Sequence, residues 1–174
     1  MPRHLLLLGL ALTVAACGAA TQAPRPAAGE WLEFEGSWNG VGDRRTIGLG
    51  EARVGSIVNL KGTLLLAGAG RPGVGFHSEV IGLVDSETGF QGRSVWTDEN
   101  GDQVFSALEG EGTASANRIT GTILSGTGRF AGATGSYEFS WRSVIEADEG
   151  AMQGRAVDLK GRVRIEPAVG GAPR

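Results

Sequence analysis

Glu109 is the residue with the strongest case for acid–base chemistry. A hairpin centred near residue 100 would place the Glu109 side chain on the same face of the sheet as Trp96 and Phe105. If that face lines an apolar chamber, desolvation raises the pKa of the Glu109 carboxyl, as a general acid or base requires. The alternative is a Glu109 near the chamber mouth, solvated or paired with Arg93 or Arg129.

His77 is the single histidine outside the N-terminal segment, and Cys17 is the only cysteine. A zinc site built from several such ligands is therefore not available, and we expect no metal. A Ser-His-Asp triad would need His77, but the chain has no G-x-S-x-G turn. Since His77 begins a predicted strand, we expect it to be partly exposed and non-catalytic.

Two glycine patterns match nucleotide-binding loops by letter, GAGRPG at 68–73 and GTGRFA at 126–131. A dinucleotide loop must begin a helix whose N-terminus holds the pyrophosphate, and strand-like sequence follows both patterns. The acidic turns DSETG and DENGD lack the ligand spacing of a calcium loop. We therefore expect no cofactor.

Cys17 is a candidate for covalent modification. An apolar run, Leu5–Ala15, ends in the sequence Val14-Ala15-Ala16-Cys17, which resembles the lipobox of bacterial lipoproteins. The resemblance implies that residues 1–16 are a lipoprotein signal peptide and that Cys17 becomes lipidated. The alternative is an ordinary secretory signal in which the cysteine occurs by chance.

The segments around the central domain predict a membrane-anchored protein. Residues 17–30 are predicted to form a lipidated Ala/Pro-rich tether, residues 31–166 a β-barrel domain, and residues 167–174 a flexible tail. The net charge of −3 argues against nucleic acid and against a polybasic membrane contact, so we expect membrane attachment through the lipid. Gly18 after the cysteine favours the outer membrane of a bacterial envelope, with the domain facing the periplasm.

Apolar and polar residues alternate throughout the domain, which predicts antiparallel sheet with one dry face. The clearest inward sets are Tyr137, Phe139, Trp141 and Ile145 in one strand, and Val157, Leu159, Val163 and Ile165 in another. Roughly eight strands follow at 31–38, 44–49, 54–67, 75–85, 90–98, 103–111, 117–125 and 136–147, with a ninth at 153–166. We predict an all-β, closed antiparallel barrel, because closure removes exposed strand edges.

Asn100-Gly101 predicts a two-residue type I′ hairpin turn, since that turn needs positive φ at both positions. In this register Trp96 faces Phe105, and Glu109 shares their face. The opposite face would carry Val95, Thr97, Val104, Ser106 and Leu108.

A glycine-rich loop joins two late strands. Glycines stand at 126, 128, 132 and 135, and Phe130 is the only large apolar residue between them. Positive φ at several of Gly126, Gly128, Gly132 and Gly135 would let the chain curl, so that Phe130 closes one barrel end.

The stretch GTGRFAGATGSY resembles the glycine-rich loop of the allene oxide cyclase and dirigent barrel superfamily. The match covers about Ile119 to Trp141. The resemblance implies an eight-stranded antiparallel barrel with an apolar lumen. In that superfamily the characterised members steer the cyclisation or coupling of reactive lipid-like or phenolic intermediates. The catalytic acids of those proteins have no counterpart that can be aligned here.

Three functions remain open from the sequence. The first is a lipid-anchored barrel that binds a small apolar ligand, with Trp96, Phe105, Glu109, Tyr137 and Trp141 as candidate contacts. The second is an interaction or structural module with a filled lumen. The third is a dirigent- or cyclase-like enzyme. An eight-stranded barrel is wide enough either to be filled by side chains or to hold one small ligand.

Overall fold

Eight antiparallel strands close a barrel in chain order, with β1 paired to both β2 and β8. The computed structural model describes residues 29–68, 73–111, 117–147 and 150–166. The strands are β1 (Leu32–Gly48), β2 (Val54–Gly68), β3 (Val74–Asp85), β4 (Gly89–Thr97), β5 (Gln103–Gly110), β6 (Asn117–Gly126), β7 (Ala133–Glu146) and β8 (Ala151–Ile165). A 3₁₀ turn, Gly128–Phe130, lies between β6 and β7. The predicted all-β closed barrel is confirmed.

Several predictions fall outside the described residues. These are the signal peptide, the lipidation of Cys17, most of the tether and the C-terminal tail at 167–174. Within the described part, no helix is long and apolar enough to cross a membrane.

The barrel has two distinct ends. β1 begins and β8 finishes at one end, which also carries the loops 98–102 and 127–132; we call it the closed end. The other, the open end, carries the β1–β2, β3–β4 and β7–β8 connections. Gly29 N donates to Ile165 O at 3.2 Å, so both ends of the described chain meet at the closed end.

The predicted alternation holds along most strands, and the inward side chains form one core. Leu60 and Leu64 of β2 are 5% and 1% exposed, whereas the intervening Lys61 and Thr63 are exposed to solvent. Burial of each such leucine contributes about 1.5–3 kcal/mol to folding. The other buried members include Trp38, Phe76, Val80, Trp96, Tyr137, Phe139 and Leu159.

The segments 31–38 and 44–49 form a single strand, contrary to the predicted break between them. The ladder from β1 to β2 continues through residues 39–43, where Gly40 pairs with Gly62 and Gly42 with Leu60. A methyl group at Gly42 would overlap the backbone carbonyl of Asn59. These glycines therefore allow close backbone approach within a strand and do not end it.

Two β-bulges change which residues of the last two strands face inward, so the predicted inward sets are wrong in part. Ala156 and Leu159 both face inward, so Val157 and Asp158 together form an extra step, with Asp158 at φ 56°. A second irregularity between Ser143 and Ile145 leaves Ile145 55% exposed. Val157 and Ile145 therefore do not belong to the inward faces, because a bulge shifts the alternation on one side of it.

The predicted two-residue turn at Asn100-Gly101 is wrong. Asp98 N donates to Asp102 O at 3.0 Å, and Gly101 N donates to Asp98 O at 3.1 Å. With Gly101 at φ 83°, this is a three-residue loop made of a type I turn and a left-handed glycine. Asp98 Oδ1 accepts the N–H groups of Asn100 and Asp102 at 2.8 and 2.9 Å, which favours this turn.

The longer loop shifts β5 by one residue, so Trp96 pairs with Val104 and not with Phe105. A one-residue shift moves every side chain of a strand to the opposite face. Phe105 and Glu109 accordingly lie on the outer face, and the predicted shared face of Trp96, Phe105 and Glu109 is wrong. The β5 residues that face inward with Trp96 are Val104, Ser106 and Leu108.

Candidate functional site

The closed end is filled by aromatic side chains. The rings of Trp96 and Tyr137 lie 4.8 Å apart, and Phe34 and Phe76 meet Trp96 at 6.4 and 6.1 Å between centroids. The half-buried Phe130 packs against Phe76 at 5.8 Å. Phe130 of the glycine-rich loop thus packs onto the core at this end of the barrel.

A network between two loops fixes Phe130 in place. Arg129 Nε lies 2.6 Å from Asp98 Oδ2, and Arg129 N donates to Asp102 Oδ2 at 3.0 Å. Desolvation favours a higher pKa for Asp98, but the N–H groups of Asn100 and Asp102 and the Arg129 charge outweigh it and lower that pKa. Gly128 and Gly132 adopt φ 50° and 79°, which lets the loop curl under the barrel.

Tyr137 carries a buried hydroxyl at the inner limit of this aromatic cluster. Its Oη lies 3.1 Å from Ser94 Oγ. Burial raises the pKa of the Tyr137 phenol, and the neighbouring Ser106 and Ser94 hydroxyls partly oppose the rise. The phenol therefore stays protonated, and its hydrogen bond anchors the ring in the core.

The other half of the lumen is a cavity of about 830 Å³ that opens to solvent at the open end. Apolar side chains from strands all around the barrel line its floor, and polar groups surround its mouth. The apolar lining includes Trp38, Val58, Leu60, Val80, Phe90, Leu108, Ile119, Phe139, Trp141 and Met152. The lumen is therefore filled at one end and open at the other.

Paired glycines let aromatic rings lie flat against the cavity wall. Gly40 and Gly154 face each other across β1 and β8, and a methyl group at either would press into the Trp38 or Trp141 indole. The two indoles are 5.2 Å apart and form one wall. Each glycine thus leaves the space against the strand that an indole ring occupies.

Phe90 lies on a second glycine pair. Gly82 and Gly92 pair across β3 and β4, and a side chain at either position would overlap the Phe90 ring. The cavity is therefore bounded by the two indoles on β1 and β7 and by Phe90 on β4.

Asp85, the buried carboxylate at the mouth, is paired with an arginine. Arg53 Nη2 lies 2.6 Å from Asp85 Oδ2, and Arg53 Nη1 lies 3.1 Å from Glu87 Oε2. The hydrogen bond from Arg53, with that from the backbone of Glu87, lowers the pKa of Asp85 to about 2. Asp85 therefore closes the β1–β2 loop against the β3–β4 loop and is not free to act as an acid or base near neutral pH.

Arg44 brings a positive charge to the mouth from inside. It lies on the inward face of β1, half-buried, and its Nε donates to Ser56 Oγ at 3.0 Å. Ser56 is 2% exposed and also bonds Thr46 Oγ1 at 2.8 Å. This arrangement holds the guanidinium at the rim of the cavity.

Of the five residues predicted as ligand contacts, only Trp141 lines the cavity. Trp96 and Tyr137 are buried in the filled half, below the cavity floor. Phe105 and Glu109 lie on the outer face, for the reason of register given above. His77, predicted to be partly exposed, lies on the outer face of β3 with its Nε2 3.7 Å from Glu79 Oε1.

Sequence reasoning missed the contributions of Trp38, Phe90 and Arg44 to the cavity. The signal for Arg44 was available, since residues 38, 40, 42 and 44 continue one alternation from Trp38. The prediction of separate strands at 31–38 and 44–49 interrupts this alternation before it reaches Arg44. A comparable signal marks Phe90, since residues 90, 92, 94 and 96 share the alternation of Trp96 in the predicted strand 90–98. Only the pairing of Gly82 with Gly92, which gives the Phe90 ring its place on the wall, has no signal in the local sequence.

A second depression, of about 670 Å³, crosses the outer wall near Gly161. It is shallow, and its lining includes charged outward residues, among which Glu138 pairs with Lys160 at 3.2 Å and also with the neighbouring Arg118. These charges satisfy one another across neighbouring strands. The blind lumen cavity is the better candidate site, because it is concave and mostly apolar.

Among the described residues, no group of three or more His, Cys, Asp or Glu side chains is placed to hold a metal ion.

No family model matches the chain, and no curated protein matches its sequence. A solved structure of a pterocarpan synthase dirigent protein is similar to 85% of this chain and 92% of its own, at 13% identity and a TM-score of 0.49. The barrel itself is established by its own strand pairing.

Proposed function

We propose that this barrel binds one small, largely apolar molecule in the cavity at its open end. The observation that supports the proposal most is the cavity itself, of about 830 Å³, with an apolar floor and a polar mouth. Binding sites for small molecules are typically about 300–1,000 Å³ and mostly apolar, with a few polar groups that orient the ligand. The volume and the lining both fit that class.

The closed end makes the cavity a blind pocket and not a channel. Phe130, Trp96 and Tyr137 fill the lumen below it, and the pair between Arg129 and Asp98 fastens the loop across the end. A ligand therefore enters and leaves through the mouth. This geometry favours storage or presentation of a ligand over its passage through the barrel.

The alternatives receive less support from the geometry. An interaction module with a filled lumen does not account for the open half of the barrel. For the enzyme, Glu109 was the candidate acid or base, and it lies on the outer face. Asp85 at the mouth is committed to Arg53.

The proposal is tested by binding of the neutral fluorophore N-phenylnaphthylamine to the purified protein. We expect its emission to rise on binding and to fall when Val84→Trp fills the mouth, because Val84 faces inward and lines the cavity. Leu83→Trp is the matched control, since Leu83 is the next residue and is 53% exposed on the outer face. Absence of binding by the wild-type protein, or equal loss in both variants, would reject the proposal.

We further propose that the protein is anchored to the outer membrane through a lipidated Cys17, which the lipobox-like sequence supports. The tether would then reach the barrel at the closed end, where β1 begins, and the cavity mouth would lie at the other end. Mass spectrometry of membrane-extracted protein should find acyl groups on an N-terminal Cys17. A mature protein with a free Cys17 thiol would contradict this.

A further inference from the structure

We infer that Arg44 makes the cavity selective for amphipathic organic anions, which bind with the apolar part inside and the charged head at the mouth. This inference rests on the proposed binding function and specifies the class of ligand. It assigns to Arg44 the role of a specificity-determining residue.

The first support is the direction of the Arg44 side chain. Arg44 follows Trp38 on one inward face, and both line the cavity. The hydrogen bond from Arg44 Nε to Ser56 Oγ fixes the stem, and Ser56 is itself held by Thr46. A guanidinium held in this way keeps its terminal NH₂ groups for a partner, and it loses little side-chain entropy when one binds.

The second support is the distribution of charge at the mouth. No carboxylate of the described residues lies within ion-pair distance of Arg44, and Asp85 is paired with Arg53. The other acidic residues of the lining, Glu111 and Glu146, are exposed at the outermost rim. Among the described residues that line the cavity, Arg44 therefore carries the half-buried charge that has no ion-pair partner. A charge-assisted hydrogen bond from it to an anionic head is strongest where water is partly excluded.

The third support is the shape below Arg44. The indoles of Trp38 and Trp141 and the ring of Phe90 bound an apolar space that descends toward Phe139 and Leu108. A fully apolar ligand would fill this space but offer no acceptor to the terminal NH₂ groups of Arg44. A ligand with one anionic end satisfies both parts of the site.

The test compares two probes that share one apolar frame and differ in charge. Anilinonaphthalene sulfonate is an anion, and N-phenylnaphthylamine is neutral. We expect Arg44→Met to weaken binding of the anion by about 10-fold or more, as loss of a hydrogen bond to a charged group predicts, and to change binding of the neutral probe less than about 3-fold. Arg45→Met is the matched control, because Arg45 is the next residue and faces outward.

Each outcome decides one of the two claims. If neither probe binds the wild-type protein, the proposed binding function itself fails. If both bind but Arg44→Met affects them equally or not at all, the binding function stands and the role of Arg44 is rejected. Circular dichroism establishes that each variant is folded.

A second measurement uses the wild-type protein alone and does not depend on the folding of a variant. Dodecanoate and dodecyltrimethylammonium have the same alkyl chain with opposite charges on the head. Below their micelle concentrations, we expect dodecanoate to displace N-phenylnaphthylamine at a lower concentration than the cation does. Equal or better displacement by the cation would overturn the inference.

Discussion

Asp98 is predicted to hold the β4–β5 hairpin in its register, and its replacement by alanine should destabilise the barrel. The side chain is fully buried and makes three contacts: Oδ1 accepts the N–H groups of Asn100 and Asp102, and Oδ2 pairs with Arg129 at 2.6 Å. A hydrogen bond to a charged group contributes about 1.5–3 kcal/mol, and the turn N–H groups regain water when the carboxylate is lost. We therefore expect Asp98→Ala to lower the free energy of unfolding by about 3 kcal/mol.

Asp98→Asn separates the two parts of this contribution. The amide keeps an oxygen for the turn N–H groups but loses the ion pair with Arg129. We expect it to cost less than the alanine variant, about 1–2 kcal/mol. Because the pKa of Asp98 is lowered in the folded protein, the ion pair stabilises at neutral pH and is lost as the pH falls below about 4 and through the folded pKa. The difference between wild type and Asp98→Asn should therefore shrink in acid.

Urea unfolding followed by tryptophan emission is the appropriate assay, since the buried Trp96 lies two residues before Asp98. Glu99→Ala is the control, because Glu99 is exposed in the same turn, and it should change the stability by less than about 0.5 kcal/mol. The reasoning is refuted if Asp98→Ala costs no more than Glu99→Ala. It is also refuted if the effect of Asp98→Asn does not depend on pH.

Three further predictions concern the core and the mouth. Phe130→Ala should lower the free energy of unfolding by about 2 kcal/mol in urea, roughly half the cost for a fully buried phenylalanine, because Phe130 is half-buried; an unchanged midpoint would contradict its role in closing the barrel. Tyr137→Phe should cost about 1 kcal/mol in the same assay through loss of the bond to Ser94, and a stabilised variant would argue against that bond. Asp85→Asn should lower the melting temperature at neutral pH. Because Arg53 depresses the pKa of Asp85 in the folded protein, calorimetry should show this difference vanish as the pH falls from about 4 through about 2. A difference that does not change with pH would show that the charge of Asp85 is not involved.

The sequence alone was enough to predict the fold class and most inward residues. In an antiparallel barrel the side-chain period is set by the chain itself, so a local alternation such as Leu60, Leu64 and Leu66 against Lys61 and Thr63 indicates the buried face directly. Local sequence also predicted that His77, at the start of a strand, is partly exposed, and that Phe130 is the only large apolar residue of the glycine-rich loop.

The shape of the candidate site was not available from that signal. The orientation of Glu109 depended on whether the β4–β5 loop has two or three residues, and the hydrogen bonds to Asp98 favour the three-residue loop. Bulges at Asp158 and near Ser143 changed the inward sets of the last strands in the same way. The alternation of apolar and polar residues within a strand cannot reveal such register shifts, because a shift exchanges the inward and outward residues without changing the sequence of the strand.

The cavity depends still more on residues that are distant in the chain. Gly40 meets Gly154, and Gly82 meets Gly92, only after the strands pair, and these pairs let Trp38 and Phe90 lie flat on the wall. The sequence determined that this chain would form a barrel with an aromatic interior, because alternation and side-chain size are local properties. The tertiary structure alone decided that the rings fill one half and leave the other half open, because that outcome depends on which side chains oppose one another across the lumen.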